Sequence, residues 1–339
     1  MMTDALTDMV TRELGFAPTA DQRKAIATFA SFMTARSDMA AMLMRGSAGT
    51  GKTTLASAIV RSLAALRWRM VLLAPTGRAA KVFALNAGHR AYTIHRRIYR
   101  QKALRADMGG FSLNNNLHSD TLFVVDEASM IANSSAGEAA FGSGCLLDDL
   151  VEYVYSGRNC RLMLIGDRAQ LPPVGEAESP ALSAGVMEGY GLTVFEAELD
   201  EVMRQGNGSG ILFNATVIRR MITHDELTGL PMIAFKGFAD ICIVNGDELI
   251  EALASSYSRA GTDETIVITR SNKRAVVYNR GIRAMVLGRE EELTTGDMVM
   301  VVKNNYHWTE NERRAEAAAA GTEVAGGKDS DDGGDDAEA

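Results

Sequence analysis

The chain has 339 residues, 46% hydrophobic and 23% charged, with a formal net charge of −8. This is room for two domains of ordinary size, and the composition excludes a fibrous, collagen-like or wholly disordered chain. Ten Asp/Glu and only three Lys/Arg fall between Thr309 and Ala339, leaving 33 acidic and 32 basic residues elsewhere, so the net acidity does not exclude a polyanionic partner for the body of the chain.

Leu6 to Leu14 predicts a short helix. Thr19, followed three residues later by Gln22, forms a capping box at the head of a second helix. The amide of Gln22 can both donate and accept, so this residue is suited either to closing the box or to reading adenine. Met39 to Met44 is an apolar run long enough for a buried strand. It leads into Gly46-Ser-Ala-Gly-Thr-Gly-Lys-Thr53, which reads G-x-x-x-x-G-K-T, and an apolar-periodic helix begins at Leu55. Strand, glycine loop and helix are the context of a phosphate-binding loop. Gly46, Ser47, Ala48, Gly49, Thr50, Gly51, Lys52, Thr53 and Thr54 are therefore expected to hold ATP. Lys52 reaches the β- and γ-phosphates, and the Thr53 hydroxyl takes a Mg²⁺ position.

Arg69 to Ala74 predicts a second buried strand and Gly77 the start of another helix, so the α/β rhythm continues. From Gly77 to Arg105 there are eight Lys/Arg and no Asp/Glu. Phe83, His89, Tyr92, His95 and Tyr99 are interleaved with them. Cations beside rings suit a single-stranded polyanion, by contact with phosphate and stacking under bases. Asp107-Met-Gly-Gly110 is a turn signal, which predicts a β-hairpin inserted at 98–118 with Met108 or Phe111 as an apolar wedge.

Thr121 to Val125 is a strand that delivers Asp126 and Glu127 at its C-terminal end, where ligand sites of open α/β sheets lie. Asp126 is expected to hold Mg²⁺, directly or through water, and Glu127 to orient and deprotonate the attacking water. Arg161 to Ile165 is a further strand, ending in Gly166-Asp-Arg-Ala-Gln170. Gln170 is placed to sense the γ-phosphate, ahead of a segment stiffened by two prolines. Arg204 ends a strand-like stretch and could neutralise charge on the transferring phosphoryl group. Beyond it the pattern predicts helical segments over 211–260 around a strand at Ile241 to Val244. A strand at Glu264 to Thr269, a helix at Ser271 to Arg283 and a strand at Gly296 to Val302 follow. The residues after Trp308 cannot bury enough apolar surface to fold, so 309–339 is expected to be a disordered tail.

Taken in order, these motifs resemble the RecD-like and Dda-like branch of superfamily 1 DNA helicases, from about Phe16 to Tyr306. Gln22 matches the adenine-reading glutamine of that branch and Gly46 to Thr53 its first helicase motif. Ala74-Pro-Thr-Gly-Arg-Ala-Ala-Lys81 and Thr93-Ile-His95 match its DNA-contacting motifs. Thr76, Arg78, Lys81, Thr93 and His95 are therefore implied to line a DNA track. Asp126 and Glu127 match its acidic pair, Gly166 to Gln170 its coupling motif, Arg204 its first arginine finger, and Gly296-Asp297 with Asn304 to Tyr306 the start of an SH3-like insertion.

The resemblance implies an α/β fold with a RecA-like P-loop NTPase domain at 1–210, a parallel sheet flanked by helices. An incomplete second RecA-like domain would occupy 211–308. ATP, Mg²⁺ and single-stranded DNA, or a single/double-strand junction, are the implied ligands, with 5′→3′ movement by a monomer. No further DNA-contacting or arginine motif follows Tyr306, so a C-terminally truncated helicase is expected. A nucleotide- and DNA-binding module without turnover is the alternative, and an ATPase acting on protein is disfavoured by the acid-free basic stretch. Cys145, Cys160 and Cys242 have no metal or redox spacing and read as buried thiols in a reducing compartment. The first residues lack a signal pattern and no apolar run is long enough to span a membrane, so a cytoplasmic protein is expected.

Overall fold

The computed structural model describes residues 2–101, 111–133, 141–201, 208–223 and 229–299. The chain divides into two compact units, Met1–Ile241 and Cys242–Ala339.

The first unit opens with α1 (Met2–Leu14) and α2 (Ala20–Thr34). The capping box at the head of α2 forms as expected, with Gln22 N donating to Thr19 Oγ1 at 3.2 Å and Thr19 N to Gln22 Oε1 at 3.1 Å. Then come β1 (Ala40–Gly46), α3 (Lys52–Ala65), β2 (Arg69–Ala74), α4 (Gly77–Ala87), β3 (Ala91–Thr93) and the short α5 (Ile94–Ile98). The hairpin pairs β4 (Tyr99–Gln101) with β5 (Phe111–Leu113) in antiparallel register. After it follow β6 (Thr121–Val125), α6 (Leu146–Ser156), β7 (Arg161–Gly166), α7 (Ala184–Gly189), β8 (Thr193–Leu199) and α8 (Gly210–Thr223).

Six strands form one parallel sheet in the order β3-β2-β6-β7-β1-β8. β1 and β6 are buried at every position. A parallel sheet covered on both faces requires this, and it is why these strands read as largely apolar runs, with Arg45 near the end of β1 and Thr121 at the start of β6 as buried polar exceptions. Alternate residues serve two cores. Met42, Met44, Leu72, Val124 and Met163 pack with α1, α2 and α3 through Val10, Phe29, Phe32 and Ile59. Leu43, Leu73, Phe123, Val125 and Leu164 pack on the other face with Ile94 and Ile98 of α5 and with Leu147 and Leu150 of α6. This is the expected parallel sheet flanked by helices, the RecA-like P-loop NTPase arrangement.

β8 is hidden in the sequence because Thr-Val-Phe-Glu-Ala-Glu-Leu mixes charges into an edge strand. Its glutamates stay partly in water while Ala197 and Leu199 are buried beside β1. The wedge expected at the hairpin is corrected for Phe111. Its ring is half-buried and stacks on Phe141 at 4.4 Å, so it belongs to the packing below the hairpin. Met108 lies outside the described residues. The thiols are also corrected: Cys160 is buried, Cys145 half-buried and Cys242 exposed. Among the described residues no helix is long and apolar enough to cross a membrane.

The second unit contains α9 (Leu249–Ala260) and α10 (Asn272–Gly281), which continues into one π-helical stretch, Ile282–Val286. The strands expected at 241–244 and 264–269, and over the described part of 296–302, are absent. A strand needs a lateral partner for its N–H and C=O groups. None of these runs finds one among the described residues, and Ile266 and Ile268 are 82% and 88% exposed. Asp297 instead ties this region together, accepting from Arg283 Nη2 at 2.7 Å and Arg289 Nη1 at 2.6 Å. Together with the Thr294 backbone N–H, these contacts lower its pKa to about 2. The expected tail at 309–339 lies outside the described residues.

One fold element carries a pH prediction. His118 Nε2 lies 2.6 Å from Arg97 Nη2, and its ring meets Phe123 edge-on. Burial, then the Arg97 and Arg69 cations, push its pKa down to about 4. The neutral imidazole accepts from the guanidinium, whereas an imidazolium has no acceptor. The unfolded chain takes up this proton near pH ~6.5. The folded chain resists until about 4, so stability falls as pH drops through that window. Thermal unfolding should show a drop in midpoint between about pH 7 and about pH 5 that is smaller in His118→Gln, which keeps an acceptor and has no proton to gain. An equal drop in both proteins would remove His118 as the cause.

Candidate nucleotide site and nucleic-acid track

All six strands of the sheet run parallel, so β1, β6, β7 and β8 end on the same edge. The loop after β1 carries two left-handed glycines, Gly49 at φ +85° and Gly51 at φ +87°. The left-handed conformation favours glycine at both positions, and a Cβ on Gly51 would also press on the Gln22 amide, 2.6 Å from its Nε2. Lys52, the first residue of α3, turns back over the loop. Its Nζ donates to the Gly46 carbonyl at 2.5 Å and the Ser47 carbonyl at 2.8 Å. Thr50 Oγ1 also donates to the Ser47 carbonyl, at 2.8 Å. Ser47 and Thr50 are buried, Thr53 is half-buried, and Ala48, Gly49 and Thr54 are exposed.

Gln22 is fully buried. Its Oε1 accepts from Thr19, and its Nε2 donates to the Thr50 carbonyl at 3.2 Å. In this structure the amide assigned to adenine by resemblance braces the phosphate loop. Gln22→Ala should therefore weaken binding of ATP and GTP analogues alike, by about tenfold, through the loss of one buried hydrogen bond and the loop order it maintains. Loss confined to the adenine nucleotide would return the residue to base reading.

Burial lowers the pKa of Lys52, while the charges of Asp167, Glu127 and Asp126 oppose that shift. The sheet thus brings the expected acidic pair to the lysine from two strands away and adds Asp167 from the end of β7. Asp126 is pushed up to about 6, chiefly by burial. Its Oδ1 accepts from the Glu127 backbone N–H at 2.9 Å. Glu127 itself sits at φ +54°, a left-handed conformation that ordinary side chains rarely adopt. Ser129 Oγ, in the turn after Glu127, donates to Gln170 Oε1 at 3.0 Å, so the acidic turn and the Gly166–Gln170 segment are joined directly. Gly166 lies close under the acidic turn and against Leu182, since a Cβ there would meet Ser129 N at 3.1 Å and Leu182 at 2.7 Å. Arg204 lies outside the described residues.

The hydroxyl of Thr53 and the carboxylate of Asp126 are hard oxygen donors, the chemistry that Mg²⁺ takes. Asp126 is half-buried, and desolvation raises its pKa against the charge of Lys52, so a further cation there would offset the cost of its charge. The residues present fit the ion.

The residues expected to line a DNA track differ in their surroundings. Thr76 and Thr93 cap α4 and α5, their hydroxyls accepting from Ala79 N and Arg96 N at 3.2 Å each. They stand at the ends of β2 and β3, on the same sheet edge as the phosphate loop. Arg78 and Lys81 are exposed on the first turns of α4. His95 is half-buried, with its ring 5.2 Å from Phe141 and 5.6 Å from Tyr99, and burial lowers its pKa. Tyr92 is approached by three guanidinium groups, those of Arg90, Arg96 and Arg97, at 5.2–5.8 Å. Tyr92 is one of the rings that the sequence places in the acid-free stretch, and the three arginines belong to the same stretch. Asp167 was passed over. Its position directly after an apolar strand was the available signal.

A family model described as an AAA domain matches residues 17–221. The chain is 32% identical over 145 residues to the ATP-dependent RecD2 DNA helicase of Deinococcus radiodurans, a match covering 42% of this chain and 17% of that protein. It is 26% identical over 292 residues to the uncharacterized protein R530 of Acanthamoeba polyphaga mimivirus, covering 77% of this chain and 55% of that one. The match spans less than two thirds of the length of either curated relative. Among solved structures, the Pif1 helicase from Candida albicans aligns at a TM-score of 0.41 and 17% identity, over 72% of this chain and 55% of that one.

Proposed function

Since the chain belongs to the AAA domain family and is related to a RecD2 DNA helicase, we propose that it binds single-stranded DNA and hydrolyses ATP to move on it. The observation that carries this reading is the convergence of Lys52 with the charges of Asp126, Glu127 and Asp167 at one edge of the sheet. In this reading the glycine loop cradles the phosphates with backbone N–H groups, and Lys52 exchanges its carbonyl partners for the β- and γ-phosphates. Glu127 orients the attacking water and takes its proton. Mg²⁺, held by Thr53 and Asp126, would neutralise phosphate charge. Gln170 reports on the γ-phosphate to the acidic turn through Ser129, and Arg204 neutralises charge on the transferring group.

Arg78 and Lys81 contact the strand's phosphates, with Thr76, Thr93 and His95 beside them. Movement 5′→3′ by a monomer follows from the RecD-like resemblance. The test is steady-state ATP hydrolysis by the full chain with and without single-stranded DNA. Stimulation of several-fold is expected, reduced in Arg78→Ala/Lys81→Ala, and hydrolysis indifferent to DNA would end the motor reading. A second reading, binding of nucleotide and DNA without turnover, is favoured by the absence of any strand among the described residues of the second unit. Binding of an ATP analogue and of single-stranded DNA with no phosphate released would select it.

A further inference from the structure

Two consecutive side chains in the first turn of α2 hold two different parts of the nucleotide unit. Gln22 donates to the Thr50 carbonyl of the phosphate loop. Asp21 reaches the end of β8, where its Oδ2 accepts from the backbone N–H groups of Asp200 at 3.0 Å and Glu201 at 3.2 Å. β8 is in turn seated on the loop. Leu199 pairs with Gly46, and a Cβ on Gly46 would lie 2.8 Å from both the Leu199 Cβ and its carbonyl oxygen. Helix start, phosphate loop and strand end therefore form a closed triangle with three separate contacts.

An acid in the first turn of a helix is ordinarily explained by the helix dipole alone. That account does not require the carboxylate to take two N–H groups from a segment 179 and 180 residues away. Nor does it explain an acid set at the backbone of two further acidic residues, an arrangement that like-charge repulsion disfavours. Lys24 Nζ, at 3.9 Å from Asp21 Oδ1 and on an exposed side chain, is a weak competitor for this carboxylate. Charge-assisted bonds to backbone N–H groups are the stronger kind of hydrogen bond, and two on one oxygen set the direction in which the chain leaves the strand.

We infer that Asp21 is a positioning residue that links the phosphate loop, through the first turn of α2, to the chain leaving β8. Displacement of the loop by nucleotide moves Gln22, Asp21 on the same turn moves with it, and the backbone at Asp200 and Glu201 follows. That backbone continues to Arg204. The inference rests on the nucleotide reading proposed above.

Amide hydrogen exchange of the full chain, with and without a non-hydrolysable ATP analogue, tests it. In Asp21→Ala the amides of Asp200 and Glu201 should exchange about tenfold faster, while those of β1 are unchanged. In the wild type the analogue should slow exchange both in the phosphate loop and at residues 200–201. In Asp21→Ala it should slow the loop alone. Asp21→Asn, which keeps an uncharged acceptor, should lie between the two, and it carries the same comparison if the alanine variant does not fold. For turnover, kcat should fall about fivefold to tenfold in Asp21→Ala with KM for ATP nearly unchanged, and no further fall should occur in an Arg204→Ala background. Equal exchange at 200–201 in wild type and variants, or an equal response there to the analogue, would overturn the inference. If the analogue protects the loop in neither protein, the nucleotide reading falls and the inference falls with it.

Discussion

Glu127→Gln is expected to lower ATP hydrolysis by about 10²- to 10⁴-fold, the range lost when a positioned general base is removed. Binding of an ATP analogue should be nearly unchanged. Glutamine keeps the size and one oxygen of the side chain but cannot take a proton. Glu127 stands on a left-handed turn at the end of a strand buried at every position, so a change of this size leaves the turn in place. The loss should therefore appear in kcat, with KM held or lowered. Single-turnover phosphate release alongside analogue titration separates the two quantities. A variant hydrolysing within tenfold of the wild type would show that Glu127 is not the base, and Asp167, which also bears on Lys52, would be the next residue to examine.

Lys52→Ala should act differently, reducing binding and turnover together, with hydrolysis down about 10²- to 10³-fold. The ammonium now organises the loop by donating to the Gly46 and Ser47 carbonyls. It also balances three carboxylates. Alanine leaves Asp126, Glu127 and Asp167 without that cation, which disfavours a polyphosphate more than it disfavours the fold. Lys52→Met, which keeps the apolar stem, should give the same loss with a smaller change in thermal midpoint. Binding of the analogue at wild-type affinity in both variants would mean that the triphosphate does not lie in this loop.

The two outcomes also separate the proposed readings. A chain that binds without turnover would show the Lys52 effect on affinity and nothing for Glu127 to remove. The Gln22 comparison bears on the same question from the base end, since a loop brace affects ATP and GTP alike.

Much of this was legible in the residues themselves. The strands Ala40–Gly46, Arg69–Ala74, Thr121–Val125 and Arg161–Gly166 are central in a parallel sheet. A strand covered on both faces is a near-continuous apolar run, here interrupted only by polar residues near the strand ends such as Arg45, Arg69, Thr121 and Arg161. The glycine loop is equally local, because left-handed backbone at Gly49 and Gly51 leaves little choice of residue. The capping box at Thr19 and Gln22 spans three positions and forms without help from the rest of the chain.

The errors lie where a residue's state depends on partners remote in sequence. Ile266 and Ile268 have the pattern of a strand, yet a strand exists only when another segment satisfies its backbone groups. Phe111 looked like a tip, but Phe141 stacks on it from the far side of β6 in the sequence. Cys242 was expected to be buried because thiols usually are, and the structure leaves it in solvent.

By itself the sequence determined the strand, glycine loop and helix around Lys52 and the largely apolar strands of the α/β unit, because each of these depends on neighbours a few residues apart. Only the tertiary structure decided that Gln22 braces Thr50, that Ser129 joins Gln170 and that Asp21 holds the backbone at Asp200 and Glu201. Each of these contacts joins segments separated by at least 28 residues. Hydrogen bonds across such spans are selected by how strands are ordered and helices packed, and no periodicity in the chain records that choice.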